Sequence, residues 1–142
     1  MKKSQVIYLL FVAIISSSLF SSCRRGCTDT NALNVDVLAV VDDGTCTYSR
    51  VAFYASAGFF NGIPLTKIDV SVNGNFIGTI NTVYPNGPGN CSASGTVQYQ
   101  FQNGRKAEWN TTVYLANGAT LVGSGEVFPS SVSDCIKVNV TR

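Results

Sequence analysis

The chain contains no histidine, and that absence removes a large part of enzyme chemistry. A Ser-His-Asp triad or a Cys-His pair needs an imidazole to take a proton and return it. Zinc sites lean on imidazole too, and the five cysteines include no C-x-x-C pair. No glycine-rich phosphate loop of Walker or Rossmann type is present. Charge is scarce, at 13% of 142 residues. Beyond residue 50 the carboxylates are Asp69, Glu108, Glu126 and Asp134. Glu108 and Glu126 fall on neighbouring predicted strands, where an acid pair is glycosidase equipment. The plainer interpretation makes each a solvated strand-edge charge, so catalysis is not expected. There is no helical period of useful length. No apolar run reaches the roughly 20 residues that span a bilayer.

What is present begins with Met1-Lys2-Lys3, followed by the apolar run Val6–Ile15 (VIYLLFVAII) and the small residues Ser16-Ser17-Ser18. A short positive region, a short apolar region and small residues before a cut make a secretory signal. Leu19-Phe20-Ser21-Ser22-Cys23 resembles the lipobox of bacterial lipoproteins, with Phe20 where Leu is usual. The resemblance implies cleavage after residue 22 and a lipid on Cys23, which accounts for the odd number of cysteines. The other interpretation is an ordinary cleaved signal with Cys23 left as a free thiol. Several acyl chains hold a protein on a membrane where one chain does so only marginally. The expected address is the outer membrane of a Gram-negative bacterium. Surface-exported lipoproteins of such bacteria often carry acidic residues after the lipid cysteine. Arg24-Arg25-Gly26 departs from that pattern and tips the expectation to the periplasmic side over the cell surface. Residues 23–25 are a lipidated linker. Without Lys2 and Lys3 the ten basic residues become eight, equal to the eight acidic ones. No basic patch then remains to attract nucleic acid.

Residues 26–48 read GCTDTNALNVDVLAVVDDGTCTY. They resemble a short Cys-bounded repeat of exported Bacteroidetes-type proteins, G-C-T-D-x-x-A-x-N…D-D-G-x-C-x-Y. Val35 stands where Tyr is usual, and Thr45 where Ser is usual. The resemblance implies an extracytoplasmic setting and no activity. Four cysteines allow three connectivities. Cys27–Cys46 with Cys91–Cys135 is the pairing that keeps each bond within one module. Exported chains meet oxidising conditions in which such bonds persist. A loop of about 20 residues closed this way contributes roughly 3 kcal/mol in the chain-entropy model. Asp29, Asn31, Asp36, Asp42 and Asp43 are hard oxygen donors of the kind calcium takes, although their spacing is not that of an EF-hand. The same residues cap turns, so two interpretations stand: turn chemistry and a calcium site. No other cofactor is expected.

Residues 50–142 alternate with period two. Ile68, Val70 and Val72 oppose Lys67, Asp69 and Ser71; Val97, Tyr99 and Phe101 oppose Gln98, Gln100 and Gln102. Trp109, Thr111, Val113 and Leu115 share a face, as do Ile136, Val138 and Val140. This is the pattern of half-buried antiparallel strands. Asn-Gly occurs five times, and it suits type I′ hairpin turns. The expected strands are 51–57, 66–72, 75–80, 94–102, 108–116, 119–127 and 134–141. The fold class that follows is all-β: an antiparallel two-sheet sandwich of about seven strands, preceded by a small disulfide-stapled segment. Residues 68–80 (IDVSVNGNFIGTI) resemble the hairpin of transthyretin-like or PEGA-like sandwiches. The order Cys91, Trp109, Cys135 also occurs in immunoglobulin domains. Here Cys91 lies in a Pro/Gly-rich loop and Cys135 on the polar face, which predicts a peripheral staple. Trp109 is expected in the core. Gly123-Ser124-Gly125 is expected to form a bulge or kink.

Aromatic residues are the candidates for binding. Phe59 and Phe60 lie beside Asn61-Gly62, and Tyr84 precedes the Pro/Gly loop. They form either a patch for a protein or glycan partner or a cap folded back on the core. Three Asn-x-Ser/Thr triplets, at Asn90, Asn110 and Asn139, read as chance in a bacterium. The sequence therefore points to a lipid-anchored, non-enzymatic binding or structural accessory module of the cell envelope. The alternative is a carbohydrate-binding lipoprotein that uses the loop aromatics.

Overall fold

A computed structural model describes residues 23–141. The expected signal segment, residues 1–22, lies outside the described residues. The described chain is all β. In chain order the strands are β1 (Arg25–Gly26), β2 (Val41–Asp42), β3 (Arg50–Tyr54), β4 (Phe59–Phe60), β5 (Ile63–Val72), β6 (Asn75–Ile80), β7 (Val97–Gln100), β8 (Ala107–Leu115), β9 (Thr120–Val127) and β10 (Cys135–Asn139).

Two sheets form the sandwich. One has the order β10-β3-β7; the other runs β4-β5-β8-β9, with β6 also paired to β5. Alternation decides which side chains meet between them. Val51 and Phe53 from β3 and Val97 from β7 face Ile68, Val70 and Val72 from β5, with Ile80, Val113, Leu115 and Val127 completing the core. All are buried. The Phe53 and Trp109 rings meet with centroids 6.0 Å apart. No buried side-chain nitrogen or oxygen among the described residues lacks a hydrogen-bond partner.

The short local signals set the hairpins. Asn61 (φ 49°) with Gly62 (φ 80°) joins β4 to β5, and Asn73 (φ 50°) with Gly74 (φ 79°) joins β5 to β6. Both pairs have the two positive φ angles of a type I′ turn. The other three Asn-Gly pairs behave differently. At Asn117-Gly118 only the glycine is left-handed, and the Gly118 N–H donates to Leu115 O, a type I turn closed by one left-handed residue. Asn103 instead accepts from the Arg105 N–H through its side chain. The dipeptide specifies a turn, and the strands around it choose which one.

One pairing within the sandwich is not antiparallel. β3 and β10 are parallel, Arg50 opposite Cys135 through Tyr54 opposite Asn139. The central strand β3 is also buried on both faces: Ala52, which points away from the core, is fully buried. The loop between β6 and β7 is its cover. Pro88 is buried, Gly87 packs on the Tyr54 ring, and the Lys137 ammonium donates to Gly89 O. The Cys91–Cys135 disulfide ties this loop to the start of β10, with the Cys91 sulfur also against Arg50 O and Ile136 O. It is a staple on the outer face of the smaller sheet.

The expected bulge at Gly123-Ser124-Gly125 is absent. β8 and β9 pair without a register shift, Trp109 opposite Gly125 and Thr111 opposite Gly123. The glycines serve space instead. A Cβ on Gly125 would sit 2.7 Å from Cζ2 of Trp109, and one on Gly123 would sit 2.8 Å from Oγ1 of Thr111. Trp109 thus lies over the inner face of β9. It is half-buried at the margin of the core rather than inside it.

The N-terminal module packs against one end of this sandwich. β1 and β2 pair in parallel, and the Cys27–Cys46 disulfide closes the segment over buried Ala32. The Asn31 side chain donates to Gly104 O, and the Gln100 side chain donates to Tyr48 O. Asp29 fills the space where Gly104 has no side chain.

Candidate binding surface

Strand register places the two ends of the molecule. β8 starts beside Gly104, at the end that carries the module, and runs away from it to Leu115. β9 returns, and β3 and β10 both start at the module end. Phe59, Phe60, Leu65, Leu121, Val140 and Thr141 therefore gather at the opposite end. At about 3.3 Å per residue, the nine residues of β8 separate the two ends by about 25 Å.

There the side chains form an open groove of about 280 Å³. Its floor is apolar: Leu65, Val113, Leu121 and Val140. Phe59 and Phe60 on β4 and Val122 and Gly123 on β9 complete the lining. Thr141 supplies the one side-chain hydroxyl of the lining. Phe59 and Phe60 are not in a loop; they form β4, opposite Pro64 and Ile63. Nor do they cap the core, since Phe59 is 64% exposed and Phe60 44%. The type I′ turn holds them up: Asn61 and Gly62 reverse the chain so tightly that β4 can follow only the edge of β5.

Tyr84 does not join them. It is half-buried, its N–H donates to Ala55 O, and its hydroxyl donates to Ser94 O at 2.6 Å. It organises the β6–β7 loop. The residues that sequence reasoning missed are Leu121, Val122 and Val140. Alternation marked Val140 for a buried face, and nothing local showed that the open side of the sandwich would bring it beside β4.

The acid pair is also brought together. Glu108 and Glu126 are directly opposed on β8 and β9. Lys106 sits between them, donating to Glu126 and lying 3.5 Å from Glu108. Glu126 first, and then Glu108, holds the lysine charge above its ordinary pKa. The trio is a solvent-facing charge clamp across two strands.

Of the five oxygen donors of the module, the four aspartates each serve a local turn. Asp29 accepts from the Asn31 N–H and from the Tyr48 hydroxyl at 2.9 Å. These two bonds hold its carboxyl below the usual aspartate pKa. Burial, and then Asp29, raises the Tyr48 phenol. Asp36 accepts from the Leu38 N–H and from Arg24; Asp42 from the Gly44 N–H; Asp43 from the N–H and hydroxyl of Thr45. The Leu38 bond leads in lowering Asp36, and the Thr45 hydroxyl in lowering Asp43. The Asn31 side chain reaches Gly104. Among the described residues no three His, Cys, Asp or Glu side chains converge as a metal site. Cys23 is exposed and unpaired, at the head of the linker 23–25 that precedes the module.

No protein-family model, curated protein or solved structure matches this chain.

Proposed function

We propose that this protein is a lipid-anchored, non-enzymatic binding module of the cell envelope, held through Cys23 and engaging a protein partner at the groove beside Phe59 and Phe60. Outer-membrane attachment on the periplasmic side is part of the proposal. It rests on the lipobox-like run before Cys23 and on Arg24-Arg25 after it.

The observation that carries the partner class is the lining of the groove. Its side chains are apolar apart from one threonine. A sugar presents a ring of hydroxyls and needs several polar partners once desolvated. An apolar side chain from a protein needs none. The volume, about 280 Å³, falls just below the usual range for small-molecule sites and suits one or two inserted side chains. Paired exposed phenylalanines are typical anchors of such contacts. The groove also stands at the far end from Cys23, where an anchored molecule presents it outward.

The test is photo-crosslinking in intact cells from a probe at position 60, with Cys23 left in place and products read by mass spectrometry. One dominant protein adduct, lost when Leu121 is changed to Ser, is the expected result. Adducts to glycan alone support the carbohydrate-binding alternative. No adduct at all refutes the groove as a contact site.

A further inference from the structure

The end of the molecule that carries Cys23 has apolar surface of its own. Val37, Leu38, Val40 and Val41 are all exposed, Val37 by 87%. Four large apolar side chains exposed within five consecutive residues mark an interaction surface. The turn that displays them is well built. Asp36 accepts from the Leu38 N–H through its side chain (3.0 Å) and from the Ala39 N–H through its carbonyl (2.9 Å). Arg24 Nε donates to the same carboxylate at 2.8 Å. Ala39 turns inward, against Gly26, where no side chain stands in the way. The other four are left pointing out.

Position names the occupant. The N–H groups of Val40 and Val41 both donate to Arg24 O, at 2.9 and 3.4 Å. The patch is therefore hydrogen-bonded to the residue next to Cys23. We infer that residues 37–41 seat in the boundary between headgroups and acyl chains of the bilayer that holds the Cys23 lipid. This rests on the lipid-anchor reading above. Any acyl chain on Cys23 enters the bilayer within a few ångströms of this turn, and apolar residues at that depth, about 5–10 Å below the surface, are buried. Charge is not the attraction. Arg24 is taken by Asp36, and Asp43 lies close enough to Arg25 to offset it, so seating proceeds on neutral headgroups. The lipid and the turn together make two attachments. A single tether lets a domain tumble. Two fix its orientation, with the Phe59–Phe60 groove held off the membrane by the module and the length of the sandwich.

The experiment uses the full chain made in a Gram-negative host and purified from its membranes. It is reconstituted into phosphatidylcholine vesicles with either no phosphatidylglycerol or a minor share of it. The vesicles carry a phospholipid with a photoactivatable acyl chain. Peptide mass at Cys23 reads the anchor; crosslinked positions read the turn. Labelling at residues 37–41 is expected to exceed that at Phe59 and Val122 by about tenfold, with or without the anionic lipid. A variant with Val37→Ser, Leu38→Ser and Val40→Ser keeps its acyl mass and its Trp109 emission and loses the labelling. Acylated protein with no excess at 37–41 overturns the inference and leaves the anchor standing, as does equal labelling at the far end. If Cys23 carries no acyl group, the anchor reading falls. The turn is then judged by flotation with the same vesicles: labelled turn supports it, unbound protein overturns it.

Discussion

Gly125→Ala is the sharpest test of the packing described here, because two effects of opposite sign compete. Gly125 sits in a strand with ordinary extended backbone. At such a position Gly to Ala stabilises a protein by about 0.4–1 kcal/mol, by reducing the freedom of the unfolded chain. Here the new Cβ would lie 2.7 Å from Cζ2, 2.8 Å from Cε2 and 3.0 Å from Nε1 of Trp109. Carbon atoms prefer about 3.5–4.0 Å, so the indole must retreat by about 1 Å. It cannot move inward, because fully buried Phe53 lies there. Moving outward forfeits the aromatic contact, about 0.5–1.5 kcal/mol, and opens the margin of the core. Overpacking of this kind costs about 1–3 kcal/mol, so the net effect is a loss of about 1–2 kcal/mol. In a domain of this size that lowers Tm by roughly 5 °C. Trp109 is the one tryptophan in the chain, so its emission reports the displacement directly. Denaturant unfolding with the disulfides intact gives the free energy. Gly89→Ala, with no heavy atom near its added carbon, is the control and is neutral or stabilising. In a Trp109→Phe background the colliding indole atoms are gone, and the cost of Gly125→Ala disappears. A Gly125→Ala protein at least as stable as the parent, with unmoved emission, would refute the placement of the ring over β9.

Two further expectations concern the turns and the module. A Cβ at position 74 meets no neighbour, yet Gly74→Val forces a branched residue to φ 79°. The expected loss is about 1–2 kcal/mol from backbone strain alone, and an unchanged melting temperature would contradict the type I′ assignment. Asp29 has a depressed pKa in the folded protein, so its contribution is fully present above the unfolded value near 3.9 and is lost as pH falls through the lower folded value. Asp29→Asn is therefore expected to flatten the fall in stability between about pH 5 and pH 2. Urea midpoints at the two ends of that range, parallel for the two proteins, would show that the Asn31 and Tyr48 bonds to Asp29 do not stabilise the fold.

Much of this architecture is written in local chemistry. A strand such as β5 declares its faces residue by residue, because Ile68, Val70 and Val72 must leave water together while Lys67 stays in it. Turn residues act over four positions, so Asn61-Gly62 and Asn73-Gly74 are readable one dipeptide at a time. The polar residues of the module were legible as turn formers for the same reason, each aspartate bonding to an N–H two residues on.

Other features depend on distance across the chain. Alternation alone does not say that β10 runs parallel to β3, nor that the β6–β7 loop covers the outside of that pair. Gly123 and Gly125 looked like a kink because glycine is locally permissive; only the cross-strand partner shows that their missing side chains make room for Trp109 and Thr111. The groove is the extreme case. Its residues come from β4, β5, β8, β9 and the end of β10, and no stretch of sequence holds them together. Period and turn chemistry act between neighbours in the chain, and the sequence alone was enough to determine the seven longer strands and the Asn61-Gly62 and Asn73-Gly74 reversals, though not the short strand β4. Which sheet each strand joins, which face a loop covers and where an apolar surface stays open follow from burial summed over the whole domain. Those were decided only when the sheets packed.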